Sequence, residues 1–188
     1  MSWVASVISA NDLLAEMRDS TSRIANLVGA VKSYSQMDRS SLQSVDIREG
    51  IDSTLVMLGP KLEGIEVEQE YDADLPVVEV YAGELNQVWT NLIDNAIDAM
   101  DGSGTLRIRA RVEGPSIVVD VADTGPGMSE AVLDRAFEPF FTTKDVGRGT
   151  GLGLDITWRI VVERHHGDID FDTSPDGTTA HVHLPLRQ

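Results

Sequence analysis

The sequence contains no cysteine, and this absence excludes disulfide scaffolds and thiolate metal sites. Basic residues are scarce: 15 Lys and Arg stand against 31 Asp and Glu, a formal net charge of −16 at pH 7. A surface of that sign repels nucleic-acid phosphate and anionic lipid, so we expect no nucleic-acid binding and no membrane contact by this chain. A polyanionic ligand would have to be held locally by backbone amides, a metal or a few cations.

Long apolar runs are missing as well. No segment approaches the roughly 20 residues that a membrane-spanning helix requires, and the opening MSWVASVISANDLL lacks the features of a signal peptide. A cytoplasmic location is therefore expected. The 188 residues, 41% hydrophobic and 24% charged, are typical of one globular domain with a short appendage.

The appendage is predicted at the N-terminus, over residues 1–45. Apolar residues between Met17 and Tyr34 are spaced by three, four and seven, which predicts a helix with a single apolar stripe. Such a stripe favours a helical bundle or a homodimer, and packing onto the chain's own domain is the alternative. The polar residues 37–44 read as the connection to a second domain, over residues 46–188.

The second domain is predicted to be α+β. Asp46 and Glu49 resemble a capping box that opens a helix ended by Gly59 and Pro60. The pattern then predicts strands over 65–71 and 76–80, a helix over 84–100, a hairpin of 105–112 with 116–123, a helix from Ser129 to Phe137, a helix over 152–165, and closing strands over 168–173 and 178–185. We expect an α/β sandwich in which helices cover one face of a mixed or antiparallel sheet.

The helix predicted over 84–100 carries the first chemical signal. Its polar face holds Asn91 and Asn95, although asparagine is a poor helix former because its amide competes for the backbone. Neutral amide oxygens suit a hard cation such as Mg²⁺ beside phosphates. The alternative is a polar surface face without a ligand.

Two glycine-rich segments carry the second and third signals. Asp123 precedes the turn TGPGM, where a carboxylate could accept a hydrogen bond from an exocyclic amine, and an ordinary turn is the alternative. Glycines alternate in GRGTGLGL, residues 147–154, which runs into a predicted helix whose free N–H groups favour phosphate. Lys144 and Arg148 supply the local positive charge. A surface linker is the alternative for this second glycine segment.

The four histidines do not predict a metal site. His165 and His166 adjoin a helix end and are interpreted as structural residues. His181 and His183 alternate on a strand without a partner spaced for metal binding. Trp3, Trp89 and Trp158 are interpreted as packing residues.

Five ordered segments resemble the catalytic, ATP-binding domain of bacterial sensor histidine kinases, within the GHKL superfamily and its Bergerat fold. The resemblance covers residues 46–188. ELNQVWTNLIDNAIDAM is similar to the family's N box, DTGPGM and GRGTGLGL to its first two glycine boxes, FEPFFTTK to its F box and DGTTAHVHLP to the final box. Two positions depart from the pattern, since His166 replaces a usual glycine and Ala180 a frequent aromatic residue.

The resemblance implies roles for individual residues. Asn95, with Asn91, would bind Mg²⁺; Asp123 would meet the adenine amine, with Thr178 near the base; and Lys144, Arg148 and the amides of Gly149 to Gly153 would meet the phosphates. Asn91, Lys144 and Arg148 are the candidate catalytic residues. The full candidate nucleotide site is Asn91, Asn95, Asp123, Gly125, Gly127, Met128, Phe141, Thr143, Lys144, Arg148, Gly149, Thr150, Gly151, Leu152, Gly153 and Thr178.

The implied partners are ATP, Mg²⁺, a phosphoacceptor hairpin and a response regulator. Residues 13–40 are similar to the second helix of that hairpin, which implies a homodimer. The first helix of the hairpin carries the family's phosphoacceptor histidine, yet no histidine of this chain precedes residue 165. The acceptor is therefore expected outside this chain, which should bind Mg²⁺·ATP without labelling itself.

Three other functions are alternatives to this one. GHKL ATPases of the chaperone or mismatch-repair type place a glutamate four residues before the Mg²⁺ asparagine, where this chain has Asn91. An anti-sigma type serine kinase is disfavoured by the preceding amphipathic helix. A nucleotide-binding scaffold without transfer activity would agree with the missing acceptor.

Overall fold

A computed structural model describes Met17, residues 41–144 and residues 149–186 of the chain. The predicted N-terminal helix lies almost wholly outside the described residues, so the division at residue 45 stays a prediction. The elements, in chain order, are β1 (Gln43–Val45), α1 (Ile47–Leu58), a 3₁₀ turn (Gly59–Lys61), β2 (Ile65–Tyr71), β3 (Val78–Val80), α2 (Ala82–Met100), β4 (Gly104–Glu113), β5 (Ser116–Asp123), α3 (Glu130–Leu133), α4 (Gly153–Trp158), a π-helix (Arg159–Arg164), β6 (Asp168–Ser174) and β7 (Gly177–Pro185).

The main sheet has five strands in the order β2-β4-β5-β7-β6. β2 and β4 are parallel, and the other neighbours are antiparallel, so the sheet is mixed as predicted. The predicted hairpin is the β4–β5 pair, joined by a tight turn at Gly114. β3 does not enter this sheet but pairs antiparallel with β1 in a separate two-stranded sheet.

Helices cover one face of the main sheet, as expected. Leu106, Ile108 and Ala110 alternate along β4 and are buried in the same core cluster as the apolar side of α2, including the fully buried Trp89. Arginines occupy the intervening positions of β4, and Arg107 and Arg109 pair with glutamates of β2. One face is therefore a hydrophobic core and the other carries paired charges, which confirms the predicted α/β sandwich.

The predicted helix starts are partly confirmed. Asp46 caps α1 by accepting a hydrogen bond from the backbone N–H of Arg48 at 3.0 Å, and the same carboxylate binds the Arg48 guanidinium. Ser129 stands before α3 without a side-chain capping bond, and α3 ends at Leu133 instead of continuing to Phe137. The segment that follows is turn structure stabilised by i to i−3 bonds such as Ala136 to Leu133.

Two further elements differ from the prediction. Gln43 and Ser44 are predicted as part of the connection but form β1 together with Val45. The strand exists because its backbone pairs with β3, although its short sequence has no strand pattern of its own. The helix predicted over 152–165 divides into α4 and a π-helix, in which the His165 N–H reaches the Ile160 carbonyl five residues back.

His165 explains where this π-helix ends. Its ring is fully buried, accepts a hydrogen bond from the Tyr81 backbone N–H at Nε2 (3.1 Å) and lies 2.7 Å from the Ile160 carbonyl at Nδ1. Since a carbonyl can only accept, Nδ1 carries the proton and the ring is neutral. Burial lowers the pKa of His165. The structural interpretation of this histidine is confirmed, and it fixes the residue at which α2 begins.

None of the helices in the part of the chain that the structure describes combines the length and the apolar character that a bilayer crossing requires.

Candidate nucleotide site

A cleft of about 1540 Å³ lies between α2, the end of β5 and the segments on either side of residues 145–148. It is lined by most of the residues that the sequence selected: Asn91, Asn95, Asp123, Gly127, Met128, Phe141, Thr143, Lys144, Gly149, Thr150, Gly151, Leu152, Gly153 and Thr178. Gly125 is next to the lining, whereas Gly147 and Arg148 lie outside the described residues. The sequence therefore identified residues that are far apart in the chain and close in space.

The polar face of α2 forms one wall of the cleft. Gln87, Asn91, Asp94, Asn95 and Asp98 line it at helical spacing, while the opposite side of the helix is buried. Glu84 belongs to the same polar face but lies outside the lining, because it is buried against Arg164 in an ion pair with a 3.2 Å contact.

Asn91 connects α2 to the start of α4. Its Nδ2 donates to the Gly153 carbonyl at 2.9 Å and to the Thr157 hydroxyl at 3.2 Å. Because the Gly153 carbonyl can only accept, the amide nitrogen must face it, and the amide oxygen is the atom that remains for a cation. Asn91 is thus placed to position the glycine segment as well as to offer one ligand.

A positive charge already lies against Asn95. Lys144 Nζ donates to Asn95 Oδ1 at 3.0 Å and to Asp98 Oδ2 at 2.5 Å. The oxygens of Asn95 and Asp98 are hard donors of the kind that Mg²⁺ takes, and they hold an ammonium group here. The donor set therefore fits a cation at this point of the cleft.

Asp123 lies at the end of β5 and also lines the cleft. Its Oδ1 accepts the Gly125 N–H at 2.8 Å, which folds the turn back on the strand. Burial raises the pKa of Asp123, against the lowering effect of backbone hydrogen bonds from Gly125 and Thr178. A desolvated carboxylate in a cleft is an effective acceptor for a ligand N–H group.

Glycine is required in the turn after Asp123. Gly127 has a φ of +71°, and a Cβ there would collide with the Ser174 carbonyl. The next residue, Met128, donates its backbone N–H to Thr173 Oγ1 at 2.7 Å. β6 thereby holds the turn in place, a contact that the sequence did not reveal.

A second glycine contact connects the segments before and after the gap at 145–148. Phe140 donates its N–H to the Gly151 carbonyl at 2.8 Å, and both residues have positive φ, +66° and +65°. A Cβ on Gly151 would collide with the Phe140 backbone. The next residue, Phe141, has the Arg135 guanidinium 4.2 Å from the centre of its ring.

Two supporting residues were missed from the sequence. Thr157 stands four residues after Gly153, one turn along α4, and a search for hydroxyls at that spacing would have found it. Asp98 lies on the polar face of α2, and its role was missed because nothing in the sequence pairs it with a lysine 46 residues away.

His181 and His183 lie on the open face of the sheet, away from the cleft lining. Nδ1 of His181 is 2.8 Å from Asp120, and Nε2 is 3.2 Å from Asp172. Burial alone would lower the pKa of His181, but the two carboxylates outweigh it and raise the pKa. Among the residues described in the structure, no cluster of three or more His, Asp or Glu ligands forms a metal site.

Comparisons with known proteins agree with this geometry. Residues 81–188 match the family described as histidine kinase-, DNA gyrase B-, and HSP90-like ATPase. Sporulation kinase A of Bacillus subtilis (strain 168) is 40% identical over 136 residues, which are 72% of this chain and 22% of that protein. The nucleotide-free catalytic domain of histidine kinase ThkA has a TM-score of 0.72 at 30% identity, covering 78% of this chain and 97% of that domain.

A second solved structure shows histidine kinase ThkA in complex with the response regulator protein TrrA, with a TM-score of 0.73 at 25% identity over 88% of this chain and 49% of that one. The chain spans about a fifth of sporulation kinase A, so it corresponds to one part of such a protein. The family match, the mixed sheet and the cleft between two glycine turns lead to one assignment. The chain belongs to the family of histidine kinase-, DNA gyrase B- and HSP90-like ATPases, and within it to the ATP-binding catalytic domains of sensor histidine kinases.

Proposed function

We propose that this domain binds Mg²⁺·ATP in the cleft beside α2 and presents the γ-phosphoryl group to a histidine outside this chain. The observation that carries the proposal is that one cleft combines two features. It is lined by a desolvated carboxylate, Asp123, and by a row of amide and carboxylate oxygens on α2 that already hold a positive charge. A nucleotide needs both features, one for the base and one for the phosphates.

The base would be recognised at Asp123. One carboxylate oxygen is used by the Gly125 N–H, and the group retains further acceptor capacity for the exocyclic amine of adenine. Guanine has a carbonyl at the matching ring position and would be rejected, because two acceptors would face each other. Thr178, whose backbone bonds to Asp123, would lie near the base.

The phosphates would lie toward α4 and the glycine segment. Gly149 to Gly153 line the cleft in a segment that ends at the start of α4, and glycine there would let backbone N–H groups approach the phosphates closely. Lys144 and Arg148 would add positive charge. Asn95 and Asn91 would hold Mg²⁺, which neutralises developing negative charge during phosphoryl transfer.

The chain's own residues supply positioning rather than a covalent step. Asn91 is bonded to Gly153 and Thr157, so it fixes the phosphate-binding segment against α2. Asn91 is also an amide where a hydrolytic relative would need a carboxylate base. This difference supports transfer to a partner over rapid hydrolysis, and a fast intrinsic ATPase activity would contradict it.

The test of nucleotide recognition is Asp123→Asn. We expect the variant to bind Mg²⁺·ATP at least about tenfold more weakly, because a hydrogen bond to a charged group contributes about 1.5–3 kcal/mol. Isothermal titration calorimetry measures the affinity, with GTP as competitor and the exposed Asp134→Asn as the matched control. Equal ATP affinity in the Asp123→Asn variant and wild type would refute the assignment of the base.

The partners belong to the same proposal. The ThkA complex with TrrA supports a response regulator as the final phosphate acceptor, and residues 1–45 would form part of a dimerising hairpin in the cytoplasm. The isolated chain should bind nucleotide without labelling itself, since His165 is buried and no histidine precedes it. Stable radiolabel from γ-³²P-ATP on this chain alone would contradict the proposal.

A further inference from the structure

The ammonium group of Lys144 occupies the place in the cleft where a metal ion is expected. We propose that Asp98 is a positioning residue that holds Lys144 in a resting state, with the lysine filling the cation site of Asn95 until Mg²⁺·nucleotide displaces it. This inference rests on the proposed nucleotide-binding function and adds to it a competition between a side chain and a metal ion.

The geometry shows one cation shared by two ligands. Nζ is 3.0 Å from Asn95 Oδ1 and 2.5 Å from Asp98 Oδ2, and both acceptors project from the same face of α2 because they are three residues apart. Asn95 Oδ1 cannot bind the ammonium group and a divalent cation at once without strong repulsion between them. Metal binding at Asn95 therefore requires Lys144 to leave.

The absence of a side chain at Gly149 leaves room for the Lys144 side chain to reach α2. A Cβ on Gly149 would lie 3.3 Å from Lys144 Cδ and 3.4 Å from its Cβ, closer than side chains normally pack. The lysine can run along this segment because Gly149 has no side chain. The Lys144 backbone N–H is in turn held by Thr142 Oγ1 at 3.2 Å. Lys144 thus starts from a fixed backbone position and reaches α2 past a glycine.

Released from Asp98, the same ammonium group becomes available to the phosphates. Lys144 and the glycine segment line the same cleft, so a change of side-chain rotamer is enough to move the charge from α2 toward the ligand. Asp98 would then set how readily Lys144 exchanges partners. Its effect on nucleotide affinity must pass through Lys144.

The chain offers a matched control on the same helix. Lys61 pairs with Asp94, one turn before Asp98, and both residues line the cleft. This pair does not include Asn95. Asp94→Asn therefore removes the same charge from the same face of α2 without releasing Lys144, and it reports the general electrostatic effect of one carboxylate.

The experiment is a double-mutant cycle on the full chain, with the Mg²⁺ complex of a non-hydrolysable ATP analogue as ligand. Calorimetry compares wild type, Asp98→Asn, Lys144→Met, the double variant and Asp94→Asn, and thermal melts confirm that each is folded. We expect Asp98→Asn to tighten binding about three- to fivefold, the scale of a half-exposed ion pair. This gain in affinity should disappear when Asp98→Asn is made in the Lys144→Met background. It should fall below about twofold when EDTA removes the metal. It should also be larger than the gain caused by Asp94→Asn.

The cycle separates the ways in which the inference can fail. An equal gain from Asp98→Asn in the wild-type and Lys144→Met backgrounds, or an equal gain for Asp94→Asn, would show that Asp98 acts only through its charge and would overturn the inference. Unchanged or weaker binding by Asp98→Asn would overturn it as well. If wild type itself binds no nucleotide, the proposed function fails, and the inference fails with it.

Discussion

The buried His165 gives the sharpest stability prediction. His165→Ala leaves the Tyr81 N–H without its acceptor and removes a fully buried ring from the core. An unsatisfied buried donor costs about 1–3 kcal/mol, and the cavity left by an aromatic ring adds more. We expect a loss of at least about 3 kcal/mol, which lowers the Tm of a domain of this size by roughly 6–12 °C.

The pH dependence of this loss of unfolding free energy provides a test of the neutral His165 ring. His165 is neutral in the folded protein, and its pKa lies below the value of about 6.5 that it has when unfolded. As the pH falls below about 6.5, the unfolded state binds the proton first, so the stabilisation by His165 is present at pH 7.5 and is lost toward acid. The difference in unfolding free energy between wild type and His165→Ala should therefore shrink between about pH 7.5 and about pH 5.

Urea denaturation at several pH values measures this difference, with the exposed neighbour His166→Ala as control. That control removes an imidazole one residue away without disturbing the two backbone contacts of His165. A difference between wild type and His165→Ala that stays constant over this pH range would refute the neutral, doubly bonded ring. Near-identical stability of the two proteins would refute its structural role altogether.

Two further predictions concern His166 and His181. His166 has a φ of +54°, a conformation that costs a residue with a Cβ about 1–2 kcal/mol. His166→Gly should therefore raise the unfolding free energy, measured by urea denaturation, by about 1 kcal/mol. The control His166→Ala keeps the Cβ and should not raise it. The pKa of His181 is raised by Asp120 and Asp172, so its contribution to stability is full below about pH 6.5 and is lost as the pH rises through the raised pKa. His181→Gln should therefore lower the unfolding free energy at about pH 5.5 and have less effect at about pH 9. An effect that grows with pH would contradict the ion pairs.

The sequence predicted the elements whose signals are local. The apolar and polar faces of α2 follow from side-chain periodicity, the β4–β5 hairpin from two apolar runs about Gly114, and the turn after Asp123 from its glycines, and the structure confirms all three. Burial alternates along β4, whereas the central strand β5 is buried on both faces. The departure from glycine at His166 is known instead from the family resemblance. Its left-handed backbone explains why glycine is favoured there.

The elements that were missed depend on distant partners. β1 is three residues long and exists through its pairing with β3, so no local pattern identifies it. The π-helix shares the apolar spacing of an α-helix until His165 reaches the Ile160 carbonyl and Tyr81 at the same time. A contact between residues 84 apart in the chain is set by tertiary packing, which overrides local preference.

The contrast between local sequence signals and distant contacts also applies to a single residue of the site, Asn91. Asn91 is identified from the sequence because its type suits a metal ligand, yet in the structure its nitrogen is bonded to Gly153 and Thr157 and only its oxygen is left for a cation. The ligand role of Asn91 stays a prediction from residue type, whereas the contacts of its amide nitrogen are visible only in the structure. Weaker Mg²⁺·ATP binding on removing Asn91 would therefore combine the loss of the proposed ligand with a displaced glycine segment. The proposed role of α2 in nucleotide binding is better measured at Asp98, where an ion pair can be weakened while the backbone of the site stays in place.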